Sequence, residues 1–133
     1  MLTKPRTLHD RLMVVLLFVQ LVALFVGTLM PGAVRNGIER GIESSLALPS
    51  LPLSPLAHLV LFASMAVVLS RRPFHWDTLR VGFTALALAL LSEGLQHFAI
   101  DRHPRWLDVG IDVSGALLGL IVGGLVSLCF ARP

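Results

Sequence analysis

Four apolar runs, each bounded by charge, proline or both, organise this chain. The first, about 12–30, reads LMVVLLFVQLVALFVGTLM. As a helix it is long enough to cross a hydrocarbon layer about 30 Å thick. Pro31 and Gly32 end it. The second run covers about 55–70 and stops at Arg71, Arg72 and Pro73. It is short for a full crossing, so it begins near Leu51 or relies on local thinning of the bilayer. The third covers about 81–100 and the fourth about 107–130. This pattern predicts an all-α, polytopic membrane protein, a four-helix transmembrane bundle forming one domain over 1–133. The basic residues Lys4, Arg6 and Arg11 before the first run resemble the start of a signal peptide. No Ala-x-Ala cleavage pattern follows and more spans do, so the run reads as a retained anchor.

Between the first two runs lies a mixed segment, 34–54. As a helix it would set Arg35, Glu39, Arg40 and Glu43 on one side and Val34, Ile38 and Ile42 on another, the pattern of an interfacial helix. Gly37 and Gly41 argue equally for a solvated loop. Pro49, Pro52 and Pro55 stiffen the approach to the second span.

Composition sharpens the class. Hydrophobic residues make up 55% of the chain, charged ones 14%, and the mean hydropathy is +0.80. That is too apolar for an ordinary soluble domain. The net charge of +3 would suggest nucleic acid in a soluble protein. Here the cations flank apolar runs, so a membrane surface is the expected partner and nucleic acid is not. Zinc-finger spacing and glycine-rich nucleotide loops are lacking, and no cofactor is assigned. Lone Cys129, in an apolar segment, reads as filler.

Lysine and arginine set the expected orientation. Lys4, Arg6, Arg11, Arg71, Arg72, Arg80 and Arg132 fall on one side; Arg35, Arg40, Arg102 and Arg105 fall on the other. The richer side is cytoplasmic by the positive-inside rule, which puts both termini in the cytoplasm and the protein in the plasma membrane.

The remaining charge is concentrated in SEGLQHFAIDRHPRWLDVGIDVSG, 92–115. Carboxylates at membrane depth are expensive and mark functional sites by default. Glu93 precedes the end of the third run by seven residues, about 10 Å along a helix. Gln96 and His97 share its face. On the fourth run Asp108, Asp112, Gly115, Gly119 and Gly123 follow one another at spacings of four, three, four and four, which puts them on one face. The glycines form a small-residue surface for a close helix approach and are the expected face for a second copy of the chain. Asp108 is a candidate N-cap. Arg102 and Arg105 in the connecting turn supply countercharge, with Arg102 in reach of Glu93 or Asp112 and suited to carboxylate or phosphate. His58, at the same end of the second span, completes the set, with Phe62 one turn beneath it. Histidine and three carboxylates are also metal donors, but tight ligand spacing is lacking and no metal is assigned.

The expected catalytic residues are Glu93, Asp112 and His58; the expected substrate-binding residues are Arg102, Gln96, Asp108 and Arg105. The chemistry itself stays open. One reading is recognition or modification of an outer-leaflet lipid or lipid-linked phosphate. A second is an ion- or proton-coupled transporter, small for alternating access. A third is a packing network in an accessory protein without catalysis.

These residues resemble the signature of the VanZ-like family of small bacterial membrane proteins. Glu93, Gln96 and Phe98 match its first part, Arg102 its turn, and Asp108, Gly115 and Gly119 its last part. Asp112 stands where the family has asparagine. His58 and Phe62 match an earlier element, but Ser54 and Pro55 replace the Asp-Lys pair found there, so no role of that pair carries over. Leu29 to Gly32, LMPG, is similar to the family's first-span ending. The resemblance spans essentially the whole chain and implies a cell-envelope membrane protein. The family's namesake is associated with low-level teicoplanin resistance; membership alone does not make this chain a resistance factor.

Overall fold

The computed structural model describes residues 7–46, 52–71 and 73–130. Lys4, Arg6, Pro49, Leu51, Arg72 and Arg132, used in the sequence reading, lie outside the described residues. Five helices follow in order: α1 Leu8–Leu29, α2 Gly32–Leu46, α3 Leu53–Ser70, α4 Thr78–Gln96 and α5 Trp106–Phe130. All but α2 are long and apolar enough to cross a membrane. The chain is therefore an all-α, multi-pass membrane protein, a four-helix bundle with one further helix. Its outer surface agrees: Phe18 is 66% exposed, Phe83 71% and Ile121 58%. In water such a surface would be unstable; against lipid tails it costs nothing.

The helix starts follow local chemistry. Thr7 caps α1: Asp10 N–H donates to its hydroxyl (3.2 Å) and Thr7 N–H to the Asp10 carboxylate (3.0 Å), a reciprocal box that starts the helix before the apolar run itself. Asp77 caps α4 by accepting from Arg80 N–H at 2.9 Å, so α4 starts three residues before the expected Val81. It also ends earlier, at Gln96. The N–H groups of His97, Phe98 and Ala99 turn back to Gly94, Leu95 and Gln96, a tightening that closes the helix before Ile100. Glu93 is thus only three residues from the end of its helix, about 4.5 Å along the axis rather than 10 Å. Segment 32–46 is helical, which settles the choice between helix and loop for those residues.

Packing centres on α3 and α5, the most extensive contact in the molecule; α4 also packs on α5, and α1 packs on α3 and α4. Phe62, Met65, Ala66 and Leu69 of α3 meet Val81, Ala85 and Ala89 of α4, Val109 and Ala116 of α5 and Leu24 of α1 in one core. A polar tie crosses from α1 to α3, where Gln20 Nε2 donates to Ser64 Oγ at 2.8 Å.

The glycine stripe of α5 serves the close helix approach that its spacing suggests, and the approaching helix is α3. A Cβ at Gly115 would run into the backbone carbonyl of Leu59, and one at Gly119 into that of Ala63. Both glycines are buried under α3 of the same chain, so this part of the face is filled from within and is not free for a second copy. Gly119→Ala should therefore lower stability by about 1–3 kcal/mol through overpacking. Gly124→Ala, where an added methyl meets nothing within 4 Å, should cost nothing. Thermal melting in detergent compares the two; equal melting temperatures would contradict the close contact.

Candidate functional site

The close α3–α5 approach sets the first element of the site. His58 precedes Leu59 on α3, and Asp112 lies one turn before Gly115 on α5. Their side chains meet, His58 Nδ1 to Asp112 Oδ1, at 2.9 Å. Asp112 is 0% exposed, and its second oxygen Oδ2 has no hydrogen-bond partner among the described residues. His58 keeps 16% of its side chain exposed. With Nδ1 committed to the carboxylate, Nε2 is the imidazole nitrogen left for chemistry. Phe62, one helical turn further along α3, is buried in the core.

Glu93 belongs to a separate arrangement. One carboxylate oxygen accepts from Gln96 Nε2 at 2.9 Å, the other from the backbone N–H of Arg105 at 2.6 Å. That N–H immediately precedes α5, where a helix start leaves donors unsatisfied. Glu93 therefore latches the end of α4 to the beginning of α5. Asp108 is not the N-cap expected of it. The helix opens at Trp106, and Asp108 sits in the first turn with its N–H on the Arg105 carbonyl at 2.9 Å. A carboxylate there still favours the positive helix end.

The turn between α4 and α5 reverses at Asp101, in the left-handed region (φ 56°) that aspartate tolerates better than most residues. It is tied to α2 by Gly32 N–H donating to the Ile100 carbonyl at 3.0 Å. Arg102 follows, half-buried. It forms no ion pair with Glu93 or Asp112, contrary to the expectation from sequence; both Glu93 oxygens are engaged by Gln96 and the Arg105 N–H, and Asp112 is held by His58 through Oδ1. Its Nη1 is buried with no hydrogen-bond partner among the described residues. Burial lowers the Arg102 pKa from its ordinary value, and the nearby Arg35 guanidinium lowers it further; Glu93, Asp108 and Glu39 oppose this. The group stays charged.

Two cavities meet at Arg35 and Arg102. One, of about 370 Å³, is largely apolar, lined by Leu24, Ile38, Ile42, Ala57 and Leu61, with His58 and Glu39 on its wall. The other, of about 260 Å³, is polar, lined by Gln96, Asp101, His103, Arg105 and Asp108. Arg35 is held by Glu39 one turn on, Nε to Oε1 at 2.8 Å. A third cavity of about 330 Å³ lies between Glu93, His97, Pro104 and Trp106.

All seven expected site residues lie at one end of the bundle, but in two groups. His58 and Asp112 are paired. Glu93, Gln96 and the Arg105 backbone form the latch, with Gln96, Arg102, Arg105 and Asp108 around the polar cavity. Sequence reasoning missed Arg35 and Glu39. It separated the charged side of α2 from Ile38 and Ile42, whereas positions 35, 38, 39 and 42 share the face that lines the apolar cavity. Their i, i+3, i+4, i+7 spacing is the signal that finds it.

No family model, curated protein or solved structure matches this chain.

The latch is directly testable. Glu93→Ala leaves the Arg105 N–H and the Gln96 amide without their acceptor and should destabilise the protein by about 1–3 kcal/mol. Glu93→Gln keeps an acceptor and should lose less. Thermal unfolding of both in the same detergent checks this, and equal stability of all three proteins would remove the latch.

Proposed function

We propose that this chain is a VanZ-like protein of the bacterial plasma membrane, with both termini cytoplasmic, that recognises the phosphate headgroup of an outer-leaflet lipid or lipid-linked substrate. The observation that carries this reading is the unpartnered Nη1 of Arg102 at the junction of an apolar and a polar cavity. An amphiphile has the same two parts in the same order. Its chain suits the wall of Leu24, Ile38, Ile42 and Leu61, and its headgroup the side of Gln96, Arg105 and Asp108. Arg35 and Arg102 lie close enough to oppose each other's charge. An anion between them replaces that repulsion with two attractions and supplies the hydrogen bond that Arg102 lacks.

The positive-inside distribution supports putting this end of the bundle at the outer leaflet. The VanZ-like resemblance supports the envelope setting through Glu93, Gln96, Arg102, Asp108, Gly115 and Gly119. In this reading Arg102 and Arg35 hold the phosphate, while Gln96, Arg105 and Asp108 shape the headgroup side. Glu93, whose oxygens are both engaged, keeps the turn in place.

A charge-assisted hydrogen bond contributes about 1.5–3 kcal/mol, so Arg102→Gln should weaken binding of phosphatidic acid at least about tenfold. Arg80→Gln, at the opposite end of α4, should bind as wild type does. Native mass spectrometry of the protein titrated with phosphatidic acid and with phosphatidylcholine measures this. Equal, weak retention of both lipids by wild type and Arg102→Gln would remove the proposal.

A further inference from the structure

We infer that the His58–Asp112 pair is a proton-transfer centre that hydrolyses the terminal phosphate of the lipid held by Arg35 and Arg102. This rests on the binding reading above and adds a reaction to it. Asp112 is 0% exposed and holds His58 Nδ1 at 2.9 Å, which fixes both the ring's orientation and its tautomer. Nε2 is then the basic nitrogen, on a ring that keeps 16% exposure and lines the same cavity as Arg35 and Arg102. A base held by a buried carboxylate beside two guanidinium groups supplies both a proton acceptor for water and positive charge for the phosphate oxygens.

The charges select the substrate class. A terminal phosphate carries about −1.5 to −2 charge near neutral pH. A phosphodiester carries a single negative charge. Two guanidinium groups, Arg102 with an unpartnered nitrogen and Arg35 shared with Glu39, offer more donors than a single negative charge needs. The neighbouring apolar cavity favours a phosphate attached to a hydrocarbon chain over a soluble phosphate ester.

In the step, a water oxygen forms a bond to phosphorus and the bond from phosphorus to the lipid oxygen breaks. The water's proton moves to His58 Nε2. His58 then returns a proton to the departing oxygen, leaving inorganic phosphate and the neutral lipid alcohol from a lipid monophosphate, or inorganic phosphate and the lipid monophosphate from a lipid diphosphate. No oxidant, reductant or further reactant is needed. His58 is the catalytic residue and Asp112 its positioning residue.

The test is phosphate release by the full-length protein in liposomes containing phosphatidic acid or a polyprenyl diphosphate, with glycerol 3-phosphate as the soluble arm. Release is expected from a lipid arm and not from glycerol 3-phosphate. His58→Asn keeps a donor toward Asp112 but loses Nε2. It should lower kcat at least about 100-fold with KM and melting temperature unchanged. Asp112→Asn should lower kcat with KM unchanged, a split that a purely structural role would not give. Wild type that binds phosphatidic acid but releases no phosphate from either lipid overturns the hydrolytic centre and leaves the binding reading standing. Release that is undiminished in His58→Asn also overturns it. Failure to bind either lipid removes both readings.

Discussion

The backbone-to-backbone approach of α3 and α5 is the constraint on which the rest depends. Gly115 and Gly119 leave no side chain between the helices, and the carbonyls of Leu59 and Ala63 occupy the space. Membrane helices gain little from the hydrophobic effect once inserted, so close packing of this kind is a principal source of their association. Here it also has a chemical consequence. Continued one turn toward the polar end, the same contact brings His58 against Asp112 at 2.9 Å. A side chain at Gly115 would separate that pair as well as the helices.

The polar end is costly and only partly compensated. Asp112 Oδ2 and Arg102 Nη1 are both buried without partners among the described residues, each a group whose desolvation those residues leave uncompensated. By contrast, Glu93 is fully engaged by Gln96 and the Arg105 N–H. One acid therefore does structural work while His58 Nε2 and Arg102 Nη1 keep hydrogen-bonding capacity. Their different surroundings turn a single cluster in sequence into a latch and a site.

Much of this was accessible to sequence reasoning, for identifiable reasons. The spans are legible because hydrocarbon demands long apolar helices, and nothing else in the chain imitates that signal. The helix ends are less so, since Asp77 extends α4 backward and the tight bonds after Gln96 shorten it, both local effects outside the apolar pattern. The candidate residues are legible as charges in the wrong solvent, but not their pairing. Arg102 looks like the partner of Glu93 or Asp112 in sequence because charge complementarity is the only guide there. In three dimensions a backbone N–H and a histidine reach those acids first. Arg35 is only half legible for a related reason: its spacing with Ile38, Glu39 and Ile42 marks a shared face, but nothing within α2 encodes that the turn at Asp101 brings Arg102 to it. The glycine stripe is correctly read as an approach surface, but spacing alone does not say whose helix approaches.

The central claim is that Arg102 and Arg35 clasp a lipid phosphate at the junction of the two cavities. Phosphorus–nitrogen dipolar recoupling by solid-state NMR tests it most directly, using arginine labelled with nitrogen-15 at the guanidinium in phosphatidic acid liposomes. The expected result is strong dephasing of two guanidinium signals, one missing in Arg102→Gln and the other in Arg35→Gln, above the level shown by Arg80. Dephasing at Arg102 and Arg35 no greater than at Arg80 would contradict it.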